Sequence, residues 1–332
     1  MTILDSLDIP VIIAPMAGGP STPALVNAAH ESGTVGFLAG GVIGVDQLRE
    51  DISGVNGRFG VNLFRPQDRE PAPADIDAVA GRLTQAFREY GLDDPHIPEV
   101  DLSNGWAEKF DLLLQARPAV VSSTFGMFTA TEFDALNRAG IEAWVTVTNP
   151  EDAVTAEAAG ADVLIVQGPE AGGHRSTWSI DVRPDRRSLD DLLRDIAVSV
   201  PIVAAGGIST SRDVERVLSL GAQAASCGTA FLLAPEAGTS LFNRGIIADG
   251  GPTVSTRAFS GRFARGAATA FSRANESLPP LYPYLNTLLA PLRKASTARG
   301  NRDFAYCLAG TGMALAREAE AKRILMELNP SA

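Results

Sequence analysis

Eight short runs of apolar or small residues punctuate the first 235 residues, and stretches with helical spacing separate them. The runs are Val11-Ile12-Ile13-Ala14, Val35-Gly36-Phe37-Leu38, Gly60-Val61-Asn62-Leu63-Phe64, Ala119-Val120-Val121-Ser122-Ser123, Ala143-Trp144-Val145-Thr146-Val147, Val163-Leu164-Ile165-Val166, Ile202-Val203-Ala204-Ala205 and Ala224-Ala225-Ser226-Cys227. None alternates polar with apolar residues. A strand with one wet face alternates; a strand covered on both faces does not, and parallel sheets are covered on both faces. The helical stretches Thr22 to Ser32, Thr129 to Ala139, Pro150 to Ala159 and Ser209 to Leu220 are each followed by a glycine, Gly33, Gly140, Gly160 and Gly221. Glycine there closes a helix in the left-handed conformation. Eight such strands alternating with helices predict an α/β fold, the (β/α)8 TIM barrel.

The connection between the third and fourth runs is long, about residues 65 to 118. Arg65 to Pro73 reads as a Pro-rich loop, Ala74 to Tyr90 as a helix and Leu92 to Pro98 as a loop, so an active-site cover is expected there. Beyond about residue 235 no further β/α unit is evident, and Gly261 to Ala274, Tyr282 to Ala298 and Gly312 to Leu328 read as helix or loop. The expected organisation is a barrel over 1–235 with that insertion, and a helical C-terminal extension over 236–332 packed on it.

A net charge of −11 argues against nucleic acid or an anionic membrane as the main partner, since both demand a basic face. Cys227 and Cys307, the two cysteines, cannot make a disulfide framework. No apolar run is long enough to span a membrane, and the start Met1-Thr2-Ile3-Leu4-Asp5 lacks the pattern of a signal peptide. A soluble chain in the reducing cytoplasm is the expectation, with a homo-oligomer left open.

In such barrels function collects at the C-terminal ends of the strands. Glycine recurs at those ends here. Gly206-Gly207 follows the seventh run and Gly228-Thr229 the eighth, the usual place of a phosphate site. Backbone N–H groups and the Thr229 hydroxyl would hold the phosphate of a substrate or cofactor. No Gly-x-Gly-x-x-Gly is present, so a Rossmann dinucleotide fold is not supported. Of three histidines, His30 lies in a helix, His96 in the Pro-rich connection, and His174 ends a Gly172-Gly173 turn at the rim. That position makes His174 the catalytic candidate. No clustered ligands suggest a metal. None of the three lysines, Lys109, Lys294 and Lys322, follows a strand, which disfavours a Schiff base. Cys227 reads as a small buried filler rather than a nucleophile.

Ala14-Pro15-Met16, Gly60-Val61-Asn62-Leu63-Phe64, Val166-Gln167-Gly168, Glu170-Ala171-Gly172-Gly173-His174-Arg175, Ala204-Ala205-Gly206-Gly207-Ile208, Gly228-Thr229-Ala230-Phe231, Phe259-Ser260-Gly261-Arg262 and Ala264-Arg265-Gly266 together resemble the nitronate monooxygenases, formerly 2-nitropropane dioxygenases. The resemblance covers nearly the whole chain. It implies a barrel holding FMN and an enzyme that denitrifies alkyl nitronates or nitroalkanes oxidatively with O2. Carried over by motif, Asn62, Gln167, the Gly172-Gly173 turn, Gly206-Gly207 and the run Ser226-Cys227-Gly228-Thr229 would bind FMN, with Ala14, Pro15 and Met16 lining the ring. Backbone amides near Met16 would stabilise the reduced flavin. His174 would be catalytic, either as cation or hydrogen-bond donor to the nitronate, or as base toward a neutral nitroalkane. The alternatives are an FMN-dependent NADH:quinone or enoyl-thioester reductase on the same barrel, and a binding protein without turnover. Ser176, Ser122-Ser123-Thr124-Phe125-Gly126 and Gly310-Thr311-Gly312 depart from the family's pattern, and the departures are expected on the substrate side.

Overall fold

A computed structural model describes residues 2–67, 69–97 and 99–331; Pro98, which ends one of the expected loops, lies outside them. The strands are β1 (Val11–Ile13), β2 (Phe37–Ala39), β3 (Gly60–Phe64), β4 (Val120–Thr124), β5 (Glu142–Val147), β6 (Val163–Gln167), β7 (Gly173–His174), β8 (Ile202–Ala205) and β9 (Ala224–Cys227). All but β7 form one parallel sheet in the order β1-β9-β8-β6-β5-β4-β3-β2. A parallel bridge between Ile13 and Gly36, with Ile13 N–H donating to the Val35 carbonyl at 3.1 Å, brings β1 against β2 and closes the barrel. The helices threaded between them are α1 (Pro23–Glu31), α2 (Val45–Ser53), α3 (Pro73–Glu89), α4 (Trp106–Ala116), α5 (Ala130–Ala139), α6 (Pro150–Ala159), α7 (Leu189–Asp195) and α8 (Ser211–Ser219). Thr22, Thr129, Asn149, Ser188 and Thr210 start their helices by accepting a backbone N–H of the first turn. Gly140 and Gly160 end theirs at φ 72° and 105°, as their positions predict.

The uninterrupted apolar character of the strands follows from two covered faces. One parity of side chains points out to the helices: Val11, Ile13, Val61, Val121, Val145, Leu164, Val166, Ala204, Ala225 and Cys227. The other fills the barrel: Ile12, Phe37, Val120, Trp144, Val163, Ile165, Val203 and Ala224. Trp144 is fully buried, and truncating such a side chain to Ala costs about 3–5 kcal/mol. The floor is plugged by the N-terminal turn Ile3–Ser6, whose Ile3 and Leu4 enter that interior. Glu142, at the start of β5, accepts from Ile3 N–H at 2.6 Å and from Trp144 Nε1 at 2.8 Å. Only the opposite end, where the strands finish, is left for a site.

The segment after β9 departs from the expected helical extension in two ways. First, it contains strands: α9 (Leu241–Asp249) is followed by β10 (Thr253–Thr256) and β11 (Ala264–Ala267), before α10 (Ala270–Ala274), α11 (Tyr284–Ala298) and α12 (Ala321–Leu328). β10, β11 and β7 form a separate antiparallel sheet in which His174 opposes Ala264 and Gly173 opposes Arg265. Second, the boundary expected at 235 does not hold. α12 packs between α8 and α1, and Ala321, Ile324, Leu325 and Leu328 join the barrel's outer core. It is therefore the eighth barrel helix, and the preceding extension is an insertion in the last strand-to-helix connection. Strands of two to four residues carry little periodicity, and although Ala321, Ile324, Leu325 and Leu328 recur at helical spacing, that spacing does not say which wall the helix joins.

The insertion after β3 also divides. Trp106, Phe110, Leu112 and Leu113 of α4 belong to the barrel wall. Ile76, Val79, Ala80, Leu83 and Phe87 of α3 pack instead on Leu285, Leu288, Leu289 and Leu292 of α11, making a second core from the two inserted segments.

Candidate active site

The alternation that fills the barrel decides which residues reach its mouth. Asn62, Gln167, Ala205 and Ser226 share the inward parity of Ile165, Val203 and Ala224, so they form the top inward layer. Asn62 is buried and donates from Nδ2 to Ser122 Oγ at 2.9 Å and to Thr124 Oγ1 at 3.1 Å. Cys227 has the outward parity and its thiol is buried among the helices, where burial pushes it up to about 12. Its backbone alone is available at the rim.

The loops after β8 and β9 are shaped for a close approach. Gly206 and Gly207 have φ 112° and 68°, the left-handed region. A Cβ on Gly206 would lie 2.9 Å from the Ala171 nitrogen, and one on Gly207 2.8 Å from Glu170 Cβ. A Cβ on Gly228 would meet Met16 at 3.4 Å and Ala14 at 3.5 Å, so the Ala14-Pro15-Met16 turn adjoins the loop after β9. Among the described residues, the backbone N–H groups of Gly206, Gly207, Gly228 and Thr229 donate to no protein acceptor. Gly173, at φ 81°, has open space where a side chain would be. The Met16 amide, by contrast, donates to Ser21 Oγ at 2.9 Å, so of the amides near Met16 that one is already engaged.

The Gly310-Thr311-Gly312 segment meets the loops after β6, β8 and β9. Gly310 N–H donates to Thr229 Oγ1 at 2.9 Å, and Thr311 N–H to the Glu170 carbonyl at 3.0 Å. A Cβ on Gly172 would collide with Gly310 N at 2.5 Å. This segment thus closes over the Gly172, Gly207 and Thr229 loops rather than over His174.

Gln167 is committed to the β7 turn. Its Nε2 donates to the His174 carbonyl at 2.9 Å, and its Oε1 accepts from Ser176 N–H at 3.0 Å. Arg175 is buried beside it and donates to the Gln167 carbonyl. His174 is thereby held from one side by β6 and from the other by β11. Its ring lies among Tyr282, Phe125 and Phe64, with centroids 5.5, 5.6 and 6.0 Å away and near-perpendicular planes. Nε2 is 2.7 Å from Ser260 Oγ. Burial first, then the Arg262 and Arg293 guanidiniums, pull its pKa down to about 3, so the imidazole is neutral at any ordinary pH although part of the residue is reachable from solvent. Of the roles open to it in sequence, the cation is the one this environment opposes.

Arg262 is fully buried. Its guanidinium lies 3.9 Å over the Phe125 ring and 5.9 Å from that of Tyr282, and donates to the Thr177 carbonyl at 2.8 Å and Gln67 Oε1 at 3.1 Å. Phe125 is a non-glycine residue at φ 74°, a strained conformation held by its N–H donating to Ser176 Oγ at 2.9 Å. Arg293 lies 4.3 Å over Tyr306 and donates to Asn286 Oδ1 at 2.8 Å and to the Phe259 carbonyl.

The sequence signals His174 and the glycine loops as candidates, but not the side chains packed around His174. Phe64 and Phe125 end strands and had a signal in that position. Ser260 and Arg262 stood in a stretch whose resemblance was noticed and whose role was not. Tyr282 and Arg293 carried no local signal. His30 is on α1 against Gly57, and His96 is exposed. Lys109 is buried on α4 in the helical ring, where burial pulls it down to about 8. Among the described residues no group of three or more His, Cys, Asp or Glu is placed to hold a metal, and no helix is long and apolar enough to cross a membrane.

A closed eight-stranded barrel with open amides at its last two strand ends and a histidine-bearing hairpin above them defines an α/β-barrel enzyme. The nitronate monooxygenase family profile matches residues 3–331. The nitronate monooxygenase of Pseudomonas aeruginosa is 38% identical over 96% of this chain and 95% of its own length. The solved nitroalkane oxidase of Streptomyces ansochromogenes superposes with a TM-score of 0.92 at 36% identity, over 99% of this chain and 97% of that one. The enoyl reductase domain of MlnA from Bacillus amyloliquefaciens shares the fold alone, with a TM-score of 0.62 at 15% identity over 97% of this chain and 93% of that one. The chain belongs to the nitronate monooxygenase family, and it is an oxidoreductase.

Proposed function

We propose that this protein binds one FMN and oxidises alkyl nitronates, and the nitroalkanes that give rise to them, with O2, as a soluble cytoplasmic enzyme. The observation that carries the reading is the set of unspent amides at Gly206, Gly207, Gly228 and Thr229, which open onto the mouth that also holds His174. Four donors without acceptors suit a phosphate, and the left-handed glycines let its oxygens approach without a side chain between. The residues present thus fit the FMN phosphate, with Ala14 and Met16 beside the Gly228 loop to line the ring. When bound, the flavin supplies the electron transfer to O2 that side chains cannot.

The protein's own part is positional and protic. Phe64, Phe125 and Tyr282 make an apolar box that keeps water from the reacting carbon. Gly173 leaves its space free next to His174. The neutral imidazole has a lone pair to accept a proton from the carbon α to a nitro group. On a preformed nitronate that proton is already gone, and the same ring then only orients the substrate.

The test is anaerobic mixing of the purified protein with a nitronate and, separately, with NADH. Bleaching of the flavin by the nitronate alone, with one FMN per chain, supports the reading. Bleaching by NADH alone favours the reductase alternative, and no bleaching by either favours a binding protein.

A further inference from the structure

The surroundings of His174 hold more positive charge than the proton chemistry of a histidine needs. Arg262 is fully buried and Arg293 half-buried, both depress the His174 pKa, and among the described residues neither forms a salt bridge. Burial pulls Arg262 down to about 9 and Arg293 to about 10, which leaves both protonated at neutral pH. Other charges near Arg262 do not compensate it: Arg257 is a further cation, and Tyr282 is kept in its neutral form by burial. A cation taken from water into such a place is costly unless something negative meets it.

Arg262 also keeps a donor in reserve. Its Nε–H is inaccessible to solvent and has no acceptor, although the terminal nitrogens are occupied by Thr177 and Gln67. The guanidinium is clamped over Phe125 and beside Tyr282, two of the three rings that box His174. Its placement is further fixed at the backbone, where Arg262 N–H and its carbonyl both face Ser260 Oγ at 3.4 Å, the hydroxyl that meets His174 Nε2.

The geometry points to Arg262 as the residue that makes this site select an anion, the nitronate, over its neutral nitroalkane parent, with Arg293 adding to the same field from the next layer. The inference rests on the proposed activity for its substrate class, but not for its charge. Substrate binding neutralises a guanidinium that folding leaves unpaired, so the anion gains what the neutral compound cannot. The acid-free surroundings are required for this: a carboxylate beside Arg262 would satisfy the arginine and repel the nitronate.

Arg262→Met removes the charge and keeps much of the volume, Arg262→Lys keeps the charge, and Arg262→Gln keeps polar contacts without charge should the Met variant not fold. Two readouts separate charge selection from a merely structural role. One is the KM for ethylnitronate against the KM for nitroethane. The other is calorimetric titration of nitrate, a planar anion of the same charge, into the protein as purified. In Arg262→Met or Arg262→Gln the KM for ethylnitronate should rise about ten-fold or more, that for neutral nitroethane far less, and nitrate affinity should fall about ten-fold. Arg262→Lys should recover most of the nitrate affinity. Equal losses for the anionic and neutral substrates, no rescue by lysine, or no nitrate binding by the wild type would overturn the assignment. A wild type that binds nitrate but turns over neither substrate would sink the proposed activity and leave the role of Arg262 standing.

Discussion

Across the barrel mouth, the loops after β8 and β9 offer backbone, whereas the β7 hairpin offers side chains. On the first side the working groups are the amides of Gly206, Gly207, Gly228 and Thr229, all within a few residues of barrel strands. On the second side His174 is framed by Phe64 from β3, Phe125 from the end of β4, and Ser260, Arg262 and Tyr282 from the late insertion. The first side is built on barrel strand ends and covered by Gly310-Thr311; the second adds Ser260, Arg262 and Tyr282 of the late insertion to the strand-end rings Phe64 and Phe125. On the proposed assignment, the difference teaches that a phosphate group can be held by local backbone, while the choice of substrate falls to packing that is long-range in sequence.

The comparison breaks most readily at His174. His174→Asn should lower kcat/KM for a neutral nitroalkane by roughly 10²–10⁴-fold, the scale of a lost general base. The loss on the preformed nitronate should be much smaller, as read with an oxygen electrode, and FMN content should be unchanged. Equal losses would mean that His174 orients the anion or tunes the flavin, and the two sides would then not divide the work as described.

On the backbone side, Thr229→Asp brings a carboxylate to the amides proposed to hold phosphate and should weaken FMN binding by about 100-fold. Fluorescence titration of the apoprotein checks this; unchanged affinity would place the phosphate elsewhere.

A smaller effect concerns pH. His174 is held at about 3, below the ordinary value near 6.5. As pH falls the unfolded chain takes up this proton first, so the contribution to stability is whole above about 6.5 and is lost progressively toward about 3. His174→Phe should flatten that part of the denaturation profile. For the same reason, kcat/KM on the nitronate should show no histidine inflection between about pH 5 and 8. The smallest expected effect is none at all: prolonged chelation should leave activity intact, since no ligand cluster occurs among the described residues.

The legibility of the sequence follows the same divide. Parallel strands are covered on both faces, so their uninterrupted apolar runs gave away the eight-stranded barrel, and the glycines after β8 and β9 marked the loops proposed to hold phosphate. Those signals are local. β10 and β11 are four residues each, β10 mostly polar and β11 mostly small, and β11 also pairs with a two-residue strand, so no periodicity could build up. α12 reads as one more terminal helix unless its partners α1 and α8 are known. Tyr282 and Arg293 gain their meaning from a ring and a carbonyl far away in sequence. Nothing in a linear chain says that Gly310-Thr311 folds back over Thr229.

The pairing of β7 with β11 carries a consequence for how the protein matures during synthesis. The barrel strands up to β9 have emerged by residue 227, and much of the sheet can form then through neighbours close along the chain. His174 must wait for its partner Ala264, and the loop over Gly172 and Thr229 waits for Gly310. The eighth wall helix arrives last of all, at Ala321–Leu328. Contacts that span so much chain form late because their loop-closure cost comes before their reward. A nascent chain stalled after β9 would lack Ala264, Gly310 and α12, and with them the partner strand of His174, the cover over Gly172 and Thr229, and one wall of the barrel.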